Sequence, residues 1–164
     1  MDFNLFERAI KECAENGLYS IRLSWRGEST LHPRIFEMIE LAKRCGIAEV
    51  SFLTNGSLFD HSFCQKLISS GLDYLTVSVD GLEEHYNQTR KPLLFKETVK
   101  RIAHFYRLKE DHGQGFPKIK IQGIYSCFNQ DPELYYRIFQ PISDLVSFNL
   151  EHDYSIEKQE TEGK

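Results

Sequence analysis

The sequence predicts an α/β protein, an open and partial TIM-like β/α barrel of about five parallel strands with helices on its outer face. Helical and strand-like segments alternate regularly along the 164 residues, which implies a mostly parallel sheet with right-handed crossovers. The strand-like segments also alternate apolar and polar residues, whereas strands buried on both faces are continuous apolar runs. One face of the sheet is therefore expected to pack against helices, and the polar face to hold a polar ligand.

The helices are predicted from apolar residues at helical spacing, and all but the fourth of them follow an N-capping Asp or a Pro. Glycine ends the first three of them, as is common at helix C-termini. In chain order, the predicted helices begin at Asp2, Pro33, Asp60, Phe95 and Asp131. The first three end at Gly17, Gly46 and Gly71. The segment through Tyr86 and Arg90, between the third strand and the fourth helix, is predicted to be a loop.

Five strands are predicted from segments with period-two alternation. They cover residues 20–25, 49–55, 74–80, 118–126 and 145–151. In the third strand, for example, Leu75 and Val77 face one way while Thr76 and Ser78 face the other. The polar face is expected to line the lumen of the partial barrel, with contributions from Arg22, Ser24, Lys120 and Asn149.

Composition limits the class of protein. A net charge of -4 and a pI near 5.9 provide no positive surface for nucleic acid or anionic lipid. No apolar stretch approaches the roughly 20 residues that cross a bilayer, and the N-terminus lacks a basic leader. Four scattered cysteines then suggest reduced thiols in a cytoplasmic protein. Residues 1–152 are predicted to form one domain, and residues 153–164 a disordered tail.

Small or polar motifs follow four of the strands, where the next helix is about to begin. Ligands of parallel α/β proteins bind at these carboxyl ends of strands, so the motifs predict a catalytic or cofactor-binding face. The motifs are Arg26-Gly27-Glu28, Thr54-Asn55-Gly56, Ser78-Val79-Asp80-Gly81 and Gln122-Gly123.

Each motif also has a purely structural interpretation. Gly27-Glu28 could form a tight turn followed by a solvated acid, and Thr54-Asn55-Gly56 a left-handed turn. Asp80 could cap a helix, and Arg90 could be a surface charge. The sequence alone leaves these alternatives open.

The four motifs, in this order and with helices between them, resemble the radical S-adenosylmethionine (radical SAM) superfamily, and most closely its SPASM-type subgroup. Residues 25–33 resemble the family's Gly-Gly-Glu motif, with Arg26 in place of the first Gly, and Tyr86 to Arg90 resembles its Tyr-x-x-x-Arg segment. The resemblance implies that the strand-end residues bind S-adenosylmethionine. These residues are Gly27, Glu28, Thr54, Asn55, Ser78, Asp80, Arg90 and Gln122.

The resemblance assigns roles to several of these residues. Gly27 lets the backbone approach the methionine moiety, and the Glu28 carboxylate accepts from its ammonium group. Ser78 and Asp80 meet a carboxylate or ribose, and the planar guanidinium of Arg90 suits a carboxylate. Because Glu28 lies at a strand end, its side chain is expected to contribute little to folding.

The family also carries a Cys-x3-Cys-x2-Cys motif whose three thiolates hold a [4Fe–4S] cluster. Cys13, Cys45, Cys64 and Cys127 do not have this spacing. The chain is therefore expected not to bind the family's cluster. It is interpreted as a fragment, a truncated reading frame that begins at Met1, or a cluster-less relative.

The motifs and the spacing of the cysteines leave two candidate functions. The first is the S-adenosylmethionine-binding core of a radical SAM enzyme, inactive alone, whose substrate is unknown. The second is a non-catalytic module that binds S-adenosylmethionine or a nucleotide. A small sugar- or phosphate-binding enzyme is less favoured, because no helix start carries a Gly-rich phosphate cradle. The expected partners are a small-molecule cofactor, no nucleic acid and no membrane, with self-association through an exposed first strand.

Overall fold

The structure is a computed structural model that describes residues 1–24, 26–113 and 115–151. Trp25, Gln114 and the predicted tail over residues 153–164 lie outside the described residues. The described part contains six α-helices and five β-strands, which alternate along the chain except that α4 is followed directly by α5. The helices are α1 Phe3–Glu15, α2 Ile35–Arg44, α3 His61–Ser69, α4 Glu83–Thr89, α5 Phe95–His112 and α6 Pro132–Phe139. The strands are β1 Ser20–Arg22, β2 Glu49–Thr54, β3 Tyr74–Ser78, β4 Lys118–Ile124 and β5 Leu145–Asn149.

The predicted helix starts are confirmed at the three aspartates. The side chains of Asp2, Asp60 and Asp131 each accept a hydrogen bond from a backbone N–H in the first turn of α1, α3 and α6, at 2.8–3.1 Å. These bonds satisfy donors that would otherwise lack a partner at a helix N-terminus. None of the described helices has both the length and the apolar character needed to cross a bilayer.

The prediction of a loop between the third strand and the longest helix is wrong. Residues 83–89 form α4, and Tyr86 on this helix is completely buried. The Tyr86 hydroxyl pairs with Thr98 Oγ1 at 3.1 Å, which fixes α4 against α5. Several strands are also shorter than predicted. In particular, β1 has three residues and β3 ends at Ser78 rather than Asp80.

All strand pairs are parallel, and the strand order β1-β2-β3-β4-β5 follows the chain. One hydrophobic cluster joins the helices to a single face of this sheet, where Leu75, Val77 and Ile121 are fully buried. Residues of the opposite face, such as Thr76 and Lys120, are half-buried. Sequential strands with helices on one face form an open α/β half-barrel, which confirms the predicted fold class.

A buried lysine stabilises the end of the sheet opposite the motifs. Lys109 of α5 is completely buried, and its Nζ donates to Asp144 Oδ2 at 2.6 Å. The same oxygen accepts from Ile119 N at 2.7 Å, so one carboxylate connects α5, β4 and the start of β5. Lys43 and Asp73 repeat this arrangement at β2 and β3, but the Lys43 side chain is 30% exposed.

β1 is an edge strand whose outer side is unpaired within the described residues. Glu49 N donates to Tyr19 O and Leu23 N donates to Ser51 O, so odd-numbered residues bond to β2. Because successive residues point opposite ways, the N–H groups of Ser20 and Arg22 point outward. A cavity of about 480 Å³ lies beside this edge, lined by Phe6, Ile10, Ile21 and other residues.

We predict that the chain self-associates through this edge. Ser20→Pro removes an outward N–H donor while leaving the bonds to β2, and proline is tolerated on edge strands. The variant is therefore expected to show weaker concentration-dependent association in sedimentation velocity. Ser20→Ala is the matched control, because it retains the N–H. A strictly monomeric unmodified chain at all concentrations would contradict the prediction.

Candidate functional site

The strand-end motifs lie together at one edge of the sheet. Thr54 is in register with Val77 and Ser78 with Gln122, so β2 and β3 end within one residue of each other and β4 continues to Ile124. Glu28 reaches the same edge from the turn that follows β1, since it bonds directly to the end of β2. The predicted site residues thus lie along one edge of the sheet, although Thr54 itself is buried, and their role in binding a cofactor remains a prediction.

Glu28 is the most extensively bonded of these residues. Its Oε1 accepts from Thr30 N at 3.2 Å, Thr30 Oγ1 at 2.6 Å and Thr54 Oγ1 at 2.7 Å. Its Oε2 accepts from Asn55 N at 2.7 Å. A carboxylate has about four acceptor positions, two on each oxygen. Among the residues that the structure describes, Asn55 N is the only donor to Oε2, so one acceptor position of this oxygen is unused by them.

These bonds change the expected structural role of Glu28. The carboxylate caps the short 3-10 turn Ser29–Leu31 and joins it to the end of β2. The expectation that this side chain contributes little to folding does not fit a group with four protein donors, because each bond to a charged group contributes about 1.5–3 kcal/mol. Glu28 is thus a structural anchor in addition to being a candidate ligand.

Asp80 and Arg90 form an ion pair with each other. Arg90 is the C-terminal cap of α4 and lies one helical turn after the buried Tyr86, so burial of Tyr86 determines where the guanidinium lies. The Asp80 side chain is 14% exposed and that of Arg90 is 32% exposed. A guanidinium has five N–H donors, so Arg90 can bind a ligand carboxylate while it remains paired to Asp80.

The Thr54-Asn55-Gly56 turn is held by its own side chains. Gly56 N donates to Thr54 Oγ1 at 3.1 Å, and Ser57 N donates to Asn55 Oδ1 at 2.8 Å. These bonds are typical of the structural interpretation of the motif. A cavity of about 370 Å³ nevertheless brings this turn next to α4, and its lining includes Asn55, Ser57, Arg90 and Lys91.

Two glycines of the motifs have different roles. Gly27 has φ +80°, a conformation that residues with a side chain rarely adopt, and no atom of the described residues lies within 4 Å of the place a Cβ would occupy. A Cβ on Gly123 would instead lie 2.8 Å from both Tyr135 Oη and Val79 O. Gly123 therefore allows Tyr135 to pack against the sheet, and its position is explained by packing.

The residues predicted to line the lumen occupy different places on the polar face. Arg22 and Lys120 line one cavity of about 620 Å³ together with Ser51, Thr76 and Lys118. Ser24 is engaged differently, because its Oγ accepts from Leu53 N at 2.7 Å and extends the β1–β2 ladder. Asn149 ends β5, in register with Ile124, and is exposed.

An aromatic pair at the ends of β4 and β5 was not predicted from the sequence. The Tyr125 and Phe148 rings are 5.0 Å apart, and both side chains are about two-fifths exposed. Phe128 lies beside them and stacks on Tyr135 at 4.0 Å. One feature of the sequence could have indicated this pair, namely an aromatic residue, Tyr125, two positions after Gly123 at the end of an apolar strand. This pair offers a partly exposed apolar surface at the ends of β4 and β5, where Phe148 is in register with Gly123.

The four cysteines lie far apart in the fold. Cys13 is exposed on α1, Cys45 follows α2, Cys64 is buried in α3, and Cys127 follows β4. Burial raises the pKa of the Cys64 thiol to about 12 and also raises the pKa of Cys127, which disfavours the thiolate that binds metals. Among the residues that the structure describes, no three His, Cys, Asp or Glu side chains are grouped as metal ligands. These residues therefore do not fit an iron–sulfur cluster.

The sequence profile of the radical SAM superfamily matches residues 1–151. This chain belongs to the radical SAM superfamily. The superfamily uses S-adenosylmethionine and a [4Fe–4S] cluster.

This chain is similar to curated relatives over only part of each relative's length. The tungsten-containing aldehyde ferredoxin oxidoreductase cofactor-modifying protein of Pyrococcus furiosus is 29% identical over 138 residues, which are 82% of this chain and 38% of that protein. A probable GTP 3',8-cyclase of Methanococcus maripaludis is 38% identical over 82 residues, which are 49% of this chain and 27% of that protein. The chain thus spans less than two-fifths of the length of either relative.

Solved structures share the fold at low identity. SuiB of Streptococcus suis, in a crystal structure bound to S-adenosylmethionine, has a TM-score of 0.70 and 18% identity over 96% of this chain and 38% of SuiB. Coproporphyrinogen III oxidase of Escherichia coli, a radical SAM enzyme, has a TM-score of 0.64 and 15% identity over 99% of this chain and 39% of that enzyme.

Proposed function

We propose that this chain is the S-adenosylmethionine-binding core of a radical SAM enzyme. The observation that supports the proposal is the strand-end row, which consists of Glu28, the Asp80–Arg90 ion pair and Gln122 along the carboxyl-end edge of the sheet. The chemistry of the enzyme class is hydrogen abstraction by a 5′-deoxyadenosyl radical. The substrate of this protein remains open, because specificity differs widely within a shared fold.

Each end of the cofactor has complementary groups along this row. The ammonium group would donate to the open position of Glu28 Oε2, beside the positive-φ Gly27. The cofactor carboxylate would bind Arg90, and the ribose hydroxyls would bind Ser78 and Asp80. The exposed faces of Tyr125 and Phe148 would then cover the adenine, since a purine stacks well on aromatic rings.

The proposed role of this chain is binding and orientation. Cys13, Cys45, Cys64 and Cys127 do not come together, so no cluster-dependent step is assigned to any residue described. Anaerobic reconstitution with iron and sulfide is a check on this point. We expect the purified chain to lack the broad visible absorbance of an iron–sulfur cluster.

A titration with S-adenosylmethionine tests the proposal on the iron-free chain. We expect weak but saturable binding, with amide chemical-shift changes at Gly27, Asn55, Ser78 and Gln122. Arg90→Met should weaken this binding by roughly tenfold, because it removes a charge-assisted contact. Lys100→Met is the control, since Lys100 is an exposed cation on α5 and is given no role with the cofactor. Shifts confined to other surfaces, or none at all, would refute the assignment.

A non-catalytic binding module is the second candidate, favoured by the scattered cysteines. The two candidates differ in affinity. Without a cluster to anchor its methionine end, S-adenosylmethionine should bind an enzyme core weakly, whereas sub-micromolar affinity would favour the module.

We also propose that the chain belongs to the SPASM-type subgroup. The Ser78-Val79-Asp80-Gly81 motif, followed by Tyr86 and Arg90, supports this assignment. We further propose a cytoplasmic location, which the four free thiols support.

A further inference from the structure

The polar face of the sheet has a second site, separate from the strand-end row. A cavity of about 620 Å³ is lined by three cationic side chains, Arg22, Lys118 and Lys120. This volume lies within the range of about 300–1,000 Å³ that is typical of small-molecule sites. The remaining lining consists of Ser51, Tyr74, Thr76, Ile119, Asp144 and Leu145.

The positive charge of this cavity is incompletely neutralised. Its single lining carboxylate, Asp144, already binds the buried Lys109 at 2.6 Å and Lys118 at 3.4 Å. Within the described ranges, Arg22 and Lys120 have no ion-pair partner closer than 4 Å. Glu49 lies on the same face of β2, two residues before Ser51, but does not line the cavity.

Neutral donors lie between the two cations. Thr76 is paired in register with Lys120 across β3 and β4, and Ser51 with Arg22 across β2 and β1. The hydroxyls of Thr76 and Tyr74 have no hydrogen-bond partner among the residues that the structure describes. Two cations that flank free hydroxyls form a site for a ligand with several anionic oxygens.

We propose that this cavity binds the polyanionic end of a small-molecule substrate, a phosphate chain or a set of carboxylates, between Arg22 and Lys120. The assignment as a substrate site rests on the proposed cofactor-binding function. Lys120 and Thr76 each precede the strand-end residues Gln122 and Ser78 by two positions, a distance of about 7 Å along a strand. A substrate anchored at this depth extends toward the strand-end row, where the cofactor is proposed to bind.

The test uses inorganic tripolyphosphate and citrate as separate probes, followed by amide chemical shifts of the 164-residue chain. We expect saturable shifts at Ser51, Thr76 and Lys120 with at least one probe, and the stronger probe identifies phosphate or carboxylate as the anionic group. Arg22→Gln and Lys120→Gln should each weaken binding about tenfold, as expected for a charge-assisted contact. Lys120→Arg should retain it.

Arg107→Gln is the matched control, because Arg107 is an exposed cation on α5, on the helical side of the sheet. Equal weakening by this variant would mean non-specific charge attraction and would overturn the proposal, as would the absence of saturable shifts with both probes. A parallel titration with S-adenosylmethionine separates the two functions. If the chain binds S-adenosylmethionine but neither polyanion, the substrate site is refuted. If it binds a polyanion but not S-adenosylmethionine, the proposed function is refuted.

Discussion

Asp144→Ala is expected to lower the free energy of unfolding by about 3 kcal/mol, because it leaves the buried Lys109 with only the exposed Glu110, at 3.4 Å, as an ion-pair partner. Lys109 is completely buried and donates to Asp144 Oδ2 at 2.6 Å. The variant also removes the acceptor for Ile119 N at 2.7 Å. Urea denaturation at neutral pH measures the loss as a lower midpoint with an unchanged slope.

Two further variants separate this ion pair from ordinary surface charge. In the double variant Lys109→Met/Asp144→Ala, no charge is left buried and unpaired, so it should be less destabilised than the sum of the two single variants. Lys118→Met removes a cation that is 41% exposed and 3.4 Å from the same carboxylate, and should cost less than about 1 kcal/mol. If Asp144→Ala is as mild as Lys118→Met, Lys109 does not depend on this partner.

The same carboxylate makes stability depend on pH. Partial burial would by itself raise the pKa of Asp144, but the hydrogen bonds from Lys109 and Ile119 N outweigh it and hold the pKa below its ordinary value. A group with a depressed folded-state pKa stabilises the fold above its unfolded pKa, and this contribution is lost as the pH falls through the folded value. The unmodified chain should therefore lose more stability on acidification than Asp144→Asn.

The fold could be predicted from the sequence because its signals are local. Capping aspartates and alternating strand residues act over three or four positions, and Asp2, Asp60 and Asp131 all cap as predicted. The helix α4 was missed for the same reason. Its seven residues contain one buried apolar side chain, Tyr86, so no helical period is visible. Contact with α5, through Thr98, stabilises it.

The position of the candidate site could also be predicted, but its internal contacts could not. The motifs indicated which strand ends are polar. The bonds that join them link residues far apart in sequence, such as Glu28 to Thr54 and Asp80 to Arg90. Lys109 shows the same limit, because a lysine on an amphipathic helix is normally solvated. Its partner Asp144 lies 35 positions later, where only the folded chain brings the two together.

The two sites on the open side of the sheet differ in how their charges are balanced. At the strand ends, each acidic group has a partner, since Glu28 accepts from protein donors and Asp80 pairs with Arg90. On the polar face below them, Arg22 and Lys120 are both left without a partner in the described part of the chain. The strand ends are therefore nearly balanced in charge, whereas the cavity on the polar face has an excess of positive charge that suits an anionic ligand.

Glu28→Gln is expected to weaken S-adenosylmethionine binding by roughly tenfold or more and to destabilise the fold by about 1–3 kcal/mol. The binding loss follows from removal of the charge that attracts the ammonium group. The stability loss follows from geometry, because an amide nitrogen at the Oε2 position cannot accept from Asn55 N, which now donates at 2.7 Å. Amide chemical shifts measure the first effect and urea denaturation the second.

Two controls determine whether the binding loss is due to charge or to disturbed structure. Thr30→Val removes the hydroxyl that donates to Glu28 Oε1 at 2.6 Å but retains the carboxylate, so it should destabilise the fold while leaving cofactor affinity nearly unchanged. Glu37→Gln removes an exposed acid that pairs with Arg34 on α2, and should change neither cofactor affinity nor stability by a comparable amount. If Thr30→Val weakens cofactor binding as much as Glu28→Gln, Glu28 acts through the turn it holds. If Glu28→Gln binds the cofactor like the unmodified chain, its carboxylate serves the fold alone, and the ammonium group must be bound elsewhere along the strand ends.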